Sequence, residues 1–279
     1  MHFFAINGDE YDEFMGYVNK TSKNAIKYNV VPLKKSYNKL LDIGSGTGSF
    51  TDFLVDFYHP KSFLGLDQSE GFLEYARQRT YKSSVEINYE KCDFGDPKQL
   101  KKVLRKHPDI DLVVSSHSIH FLNDPIKLFE TFISCLTGDV EHVHVSVRKL
   151  SQELIDFVEN YRNHQEWKIY FEKDYQVSPM FSSDETVYPS EKSLRQLLDL
   201  NYKIHLEKFF PVSNEFYSYE QLKYVYRSLL PLMQIIPDHL KNEFIDEFMA
   251  ESRNLCRNTE NKVFWQYDLF ILHAKTGPT

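Results

Sequence analysis

Two periods of apolar and polar positions alternate along the first half of the chain. The stretches LLDIG, SFLGLD, VEINYEKCDF, IDLVVSS and EHVHVSV are short apolar or alternating runs, and they predict strands. Between them the spacing turns helical. Ser49 to Tyr58 puts Phe50, Phe53, Leu54 and Phe57 on one face. A helix capped by Ser69 runs to about Thr80 with Phe72, Leu73 and Ala76 inward. Pro97 opens another helix that ends near His107-Pro108, and Pro125 to Leu136 makes a further one. Strand–helix repetition of this kind predicts a parallel sheet covered on both faces.

The second half has a different texture. Leu150 to Tyr188 is polar and aromatic and reads as partly helical; Pro189 to Leu200 is a helix capped by Ser190. YKIHLEKFFP reads as a strand, helices are expected over about Ser218 to Leu230 and Pro237 to Leu255, and KVFWQYDLFILHAK is a long closing strand. Ahead of the first strand, Asp9 to Tyr28 is amphipathic, with Tyr11, Phe14, Met15 and Val18 on one side. The expected organisation is a single domain: a lid helix within 1–30, a cofactor-binding core over 31–148, cap and pocket elements over 149–260, and a last strand in 261–279.

Composition narrows the classes. The 279 residues are 42% hydrophobic and 26% charged, enough for a sizeable core. A net charge of −7 argues against a general nucleic-acid surface. Cys92, Cys135 and Cys256 are far apart and odd in number, which suggests a reducing compartment. The opening MHFFAINGDEYDEF lacks the basic region of a signal peptide, and no run of about 20 apolar residues is present. The expectation is a cytoplasmic protein, monomer or homodimer, with neither nucleic acid nor membrane as partner. The 18 Tyr and 22 Phe point to an aromatic core or an apolar pocket.

Candidate chemistry gathers at strand ends. LDIGSGTGSF places Asp42, Gly44, Gly46 and Gly48 straight after a strand and at the opening of a helix. Bare backbone and free N–H groups there can approach a ligand. The glycine spacing is one residue shorter than a dinucleotide loop demands. The second strand ends in Asp67, placed about 20 residues on to accept the two hydroxyls of a ribose. The third ends in Asp93, which could accept from an adenine amino group. The fourth runs into SSHSIHFLNDP, a polar crowd at the end of a strand where open sheets bind ligands.

In this order the four stretches resemble the class I S-adenosylmethionine-dependent methyltransferases. The resemblance implies an α/β fold with a seven-stranded, mostly parallel Rossmann-like sheet, helices on both faces and a small helical cap. It implies S-adenosyl-L-methionine as cofactor and S-adenosyl-L-homocysteine as product. Asp42, Gly44, Gly46, Gly48, Asp67, Gln68, Asp93, Phe94 and Ser115 are the cofactor contacts it implies. A narrower similarity links FFPVSNEFYSYEQLKYVYRSLLPLMQIIPDHLKNEFIDEFMAE, the closing WQYDLFILHAKT and the loop SSHSIHFLND to the juvenile hormone acid O-methyltransferases. It implies methyl transfer to the carboxylate of an apolar sesquiterpenoid acid. Two positions depart from that family. Phe121 stands where the family has Trp, and Ser22 where its N-terminal helix has Gln.

The implied substrate contacts are Tyr17, His117, Ser118 and His120, and His120, Ser22 and Phe121 are the expected catalytic positions. His120 is the expected polar contact to the acceptor, against an apolar wall drawn from 150–180 and 215–250. A carboxylate acceptor needs no general base, whereas an alcohol, phenol or amine does. His117-x-x-His120 and the pair His142/His144 lack a further ligand at metal spacing, so no metal is expected. Two alternatives stand beside the carboxyl reading: another small hydroxyl or amine metabolite as acceptor, and a non-catalytic S-adenosylmethionine-binding regulatory protein.

Overall fold

The computed structural model describes residues 8–161, 163–171, 188–216, 219–229, 231–255, 257–259 and 262–276. Its centre is a sheet in which β1 (Tyr37–Ile43), β2 (Pro60–Asp67), β3 (Glu86–Lys91), β4 (Ile110–Ser116) and β5 (Glu141–Leu150) run parallel. A long antiparallel strand, β8 (Lys262–Thr276), lies between β5 and β6 (Tyr202–Phe216). The strand order is β3-β2-β1-β4-β5-β8-β6. This is the expected seven-stranded arrangement, with one addition. The three-residue β7 (Arg257–Thr259) pairs with the start of β8. RNT has no apolar alternation, so only the hairpin partner marks it as a strand.

The inner strands β1, β2 and β4 are buried on both faces, as continuous apolar runs require; the edge strand β3 is buried mainly at Tyr89. Alternate residues feed two cores. Leu41, Ile43, Leu64, Leu66 and Val113 face α4 (Pro97–Leu104), α5 (Pro125–Cys135) and α7 (Glu191–Asp199) through Leu100, Leu128, Phe129 and Leu197. Leu40, Phe63, Leu112 and Val114 belong to the opposite core, with α1 (Gly8–Asn29), α2 (Thr51–Tyr58), α3 (Glu70–Gln78), α6 (Gln152–Tyr161), α8 (Tyr219–Leu229) and α9 (Lys241–Glu251).

Local chemistry sets the helix starts. Ser69 accepts from Phe72 N, Asp96 caps α4 ahead of Pro97, Asp124 caps α5 ahead of Pro125, and Ser190 closes a reciprocal capping pair with Ser193. These ends fix the polar loops at one edge of the sheet. No helix among the described residues is long and apolar enough to cross a membrane.

Candidate functional site

β1 ends in a turn that feeds α2. Gly44 N and Ser45 N both donate to Leu66 O, at 2.8 and 2.9 Å, and Gly48 N donates to Ser45 O at 3.0 Å. Gly44, Gly46 and Gly48 all have left-handed backbone, with φ of +75°, +54° and +74°. Their surroundings differ. A Cβ on Gly44 would lie 2.3 Å from Ser118 Cβ, and one on Gly48 2.3 Å from Tyr81 Oη. One on Gly46 would meet only the Tyr11 ring, at 3.5 Å. Gly44 and Gly48 thus let the protein pack on itself, while Gly46 presents bare backbone to the space under Tyr11.

That space is a cleft of about 400 Å³ beyond the C-terminal ends of β1, β2 and β4. The strand order reverses between β1 and β4, the switch point at which doubly wound sheets bind ligands. Gly46 N donates to Asp67 Oδ2 at 3.0 Å, and Ser69 N to Asp67 Oδ1 at 2.8 Å. The carboxylate therefore holds the glycine turn open while it faces the cleft. Asp42, Asp67, Asp93 and Asp124 line the walls, against one Lys or Arg among the described lining residues, Lys127. Burial, reinforced by the Asp67 charge, pushes the Asp42 carboxyl up to about 7. Burial also raises Asp67, against the lowering effect of its N–H donors. A cationic ligand between these two carboxylates would relieve both.

Helix α1 forms the roof. Tyr11, Met15 and Asn19 line the cleft; Asn19 Nδ2 donates to Ser49 Oγ at 2.9 Å. Asp12 accepts from Thr47 Oγ1 in the glycine turn and from Arg79 beyond α3. Further along, Val18, Ala25 and Ile26 sink into the core. The helix is pinned at its C-terminal half and latched by polar contacts at its N-terminal half.

The far wall comes from the loop after β4. His117 has φ +57°, a strained position for a side-chain residue, and its N–H donates to Val145 O at 2.8 Å. Its Nδ1 lies 3.1 Å from Ser22 Oγ and 3.2 Å from Ser116 Oγ. Burial holds the imidazole down to about 4, so it is neutral at pH 7.

Of the residues singled out from the sequence, Asp42, Gly44, Gly46, Asp67, Gln68, Asp93, Phe94, His117, Ser118 and Phe121 line this one cleft. Gly48 stands behind it against Tyr81 and Tyr89. Ser115 is fully buried, bonded to Ile43 O at 3.1 Å and Ser118 Oγ at 2.5 Å, where it ties β4 to β1. His120 is 2% exposed and its Nδ1 accepts from Val147 N at 3.3 Å, so it braces the loop against β5 behind Phe121. Ser22 reaches the cleft through His117 and Ser116. The side chain of Tyr17 lies outside the described residues. His142 and His144 are buried among Phe129, Phe132 and Tyr202, under α5 and away from the cleft.

The expected apolar wall falls partly on 172–180, 217, 218 and 230, which lie outside the described residues. Leu222, Phe244 and Phe248 are core residues, and among the described residues none from 150–180 or 215–250 lines the cleft. Apolar lining comes instead from Tyr11, Met15, Phe50, Phe94, Phe121 and Leu122. Ser116, Ser45 and Asn19 are polar lining residues that the sequence reading passed over. The doubled serine of SSHS was the available signal for Ser116; nothing local marks Asn19.

Comparison with known proteins agrees with this geometry. Residues 41–139 match the family described as Methyltransferase domain. A malonyl-acyl-carrier protein O-methyltransferase of Acetivibrio thermocellus is 31% identical over 139 residues, which is 50% of this chain and 45% of that protein. The chain thus matches less than half the length of that curated relative. Among solved structures, a protein of Bacillus halodurans C-125 superposes with a TM-score of 0.54 at 13% identity, covering 93% of this chain and 100% of its own. The YcgJ protein of Bacillus subtilis does so at 0.51 and 13%, covering 96% and 99%. The cyclase SpnF reaches 0.50 at 13%, covering 94% and 82%, so the architecture is shared beyond any one chemistry. The segment from Leu41 to Asp139, which carries the glycine turn and the strand-end acids, is the part of this chain that matches a methyltransferase domain.

Proposed function

We propose that the chain is an S-adenosylmethionine-dependent methyltransferase that acts on the carboxylate of a small apolar acid of the sesquiterpenoid type. The observation that carries this reading is the pairing of Gly46, bare and left-handed, with the buried Asp42 and the half-buried Asp67 in one roofed cleft. The cofactor brings a sulfonium and an ammonium, two positive charges that suit an acidic wall. Asp67 is the residue assigned to the ribose hydroxyls, Asp93 and Phe94 to the adenine side, and Asp42 to the ammonium region. When bound, the cofactor supplies an activated methyl group.

The chain's own part is position and exclusion of water. A carboxylate is ionised at neutral pH and needs no proton removed. Phe121, Leu122 and Met15 offer apolar surface to the acceptor's body, worth about 25 cal/mol per Å² buried. The curated relative's name supports an oxygen acceptor, since the free end of a malonyl group is a carboxylate. A cleft of about 400 Å³ is small for cofactor and a long acceptor together. The latched half of α1 is the wall placed to move, which makes it a lid.

The test is a calorimetric titration with S-adenosylmethionine, then transfer of a labelled methyl to a panel of C15 isoprenoid acids, alcohols and amines. The reading expects saturable one-to-one binding and label in the acids. Binding with no transfer to any acceptor would support the regulatory alternative instead.

A further inference from the structure

We propose that Ser116, Ser22 and His117 form a hydroxyl relay that fixes His117 as an Nε2–H donor, so that the cleft selects an acceptor with an anionic oxygen and His117 does not act as a general base. This deepens the methyltransferase reading and rests on it.

The relay joins two distant pieces of chain. Ser116 and His117 follow β4; Ser22 is fully buried on α1, 94 residues away from Ser116. Ser116 Oγ donates to Ser22 Oγ at 3.1 Å, which commits the Ser116 proton. Ser22 then has its own proton to give, and His117 Nδ1 lies 3.1 Å away. With Nδ1 an acceptor, the single N–H of a neutral imidazole sits on Nε2. Ser116 Oγ, 3.2 Å from the same nitrogen, would impose the same tautomer if it donated there.

Nε2 is sealed from water and has no hydrogen-bond partner among the described residues. A buried polar atom without a partner is costly, and a ligand that reaches Nε2 when the α1 lid opens would supply one. His117 is a wall residue of the cleft and sits on strained backbone, as a residue placed for a ligand would. The chemistry then separates acceptor classes. For a carboxylate, the methyl carbon–sulfur bond breaks as the carbon–oxygen bond forms, the electron pair goes to sulfur, and no proton moves. An alcohol must also lose a proton, and an imidazole already protonated on Nε2 with Nδ1 engaged cannot take it. The same donor satisfies a carboxylate oxygen where Phe121 brings no N–H.

The experiment combines tautomer spectroscopy with kinetics on the full chain. In wild-type protein, the nitrogen-15 NMR shifts of His117, assigned by its loss in His117→Gln, should show hydrogen on Nε2. In Ser22→Ala/Ser116→Ala the Nδ1–H form should rise and kcat/KM for a C15 isoprenoid acid should fall about tenfold. His117→Gln, which keeps an N–H near the Nε2 position but cannot act as a base, should retain transfer to the acid within about tenfold. His117→Ala should lose about a hundredfold, and both should bind S-adenosylmethionine as wild type does. A wild-type His117 protonated on Nδ1, or a preference for C15 alcohol over acid that His117→Gln abolishes, would overturn the relay while leaving the methyltransferase reading intact. Failure of the wild type to bind S-adenosylmethionine would overturn that reading itself.

Discussion

The two walls of the cleft are built in different ways. One wall is the ends of β1, β2 and β3, where the lining residues sit at or just past the last residues of each strand: Asp42 and the glycine turn, Asp67 and Gln68, Asp93 and Phe94. It is acidic, and backbone N–H groups fix it. The other wall joins α1 to the loop after β4. Besides Asp124 and Lys127 it offers a neutral imidazole, two serines and Phe121. The first wall suits a ligand carrying positive charge. The second suits an apolar body with one hydrogen-bond acceptor. A cofactor that many enzymes share can be met by backbone and strand ends, whereas an acceptor is met by side chains brought together from afar.

The largest expected effect breaks the first wall. Asp67→Ala releases Gly46 N–H from its anchor and, on the proposed assignment, removes two charge-assisted contacts to the ribose. Such bonds contribute about 1.5–3 kcal/mol each, so affinity for S-adenosylmethionine should fall at least a hundredfold by calorimetry. Unchanged affinity in a folded variant would take Asp67 out of the site.

Next comes the glycine turn, where stability and binding should separate. Gly44→Ala drives a Cβ into Ser118 from left-handed backbone and should cost several kcal/mol by denaturant unfolding, as overpacking and backbone strain together do. Gly46→Ala meets only the Tyr11 ring and should cost roughly 1–2 kcal/mol, yet weaken the cofactor at least tenfold. Equal losses of stability at both positions would mean that Gly46 too is only a packing glycine.

Asp42 gives a pH signature. Its carboxyl is raised from the ordinary 3.8 to about 7 when folded. The folded state therefore holds a proton that the unfolded chain releases, and the associated stability is full below about pH 4 and lost as pH rises through about 7. Asp42→Asn should raise the melting temperature of the ligand-free protein at pH 8, by on the order of a few kcal/mol in free energy, and change little at pH 4. The same variant should bind S-adenosylmethionine about tenfold more weakly. A variant less stable than wild type at pH 8 would contradict a destabilised Asp42 charge.

The smallest effect belongs to the lid. Asp12→Ala removes the latch to Thr47 and Arg79, a half-exposed set of contacts worth about 1 kcal/mol. Hydrogen exchange over residues 10–25 should speed in this variant and slow in wild type when S-adenosylhomocysteine binds. Equal exchange with and without ligand would make α1 a permanent core element.

The contrast between the walls also explains what could be read from the sequence. Strand and helix periods located the seven principal strands, and Ser69, Pro97, Pro125 and Ser190 marked helix starts, because those signals are local. Asp42, Gly44, Gly46, Asp67 and Asp93 were legible for the same reason. The linear motif does not tell which histidine of the loop after β4 faces the cleft; in the fold that place goes to His117 and not His120. The Ser22–His117 contact spans 95 residues and depends on how α1 lies across the sheet, which no periodicity records. Likewise Leu222, Phe244 and Phe248 have the spacing of a pocket face, and packing among α6, α8 and α9 consumes it.

The most direct test of the central claim is mass spectrometry of the product formed from methyl-deuterated S-adenosylmethionine and a C15 isoprenoid acid. The account predicts a deuterated methyl ester on the carboxyl oxygen from wild type and none from Asp67→Ala. An acid recovered unchanged, beside a matched alcohol or amine that carries the label, would contradict the carboxylate assignment.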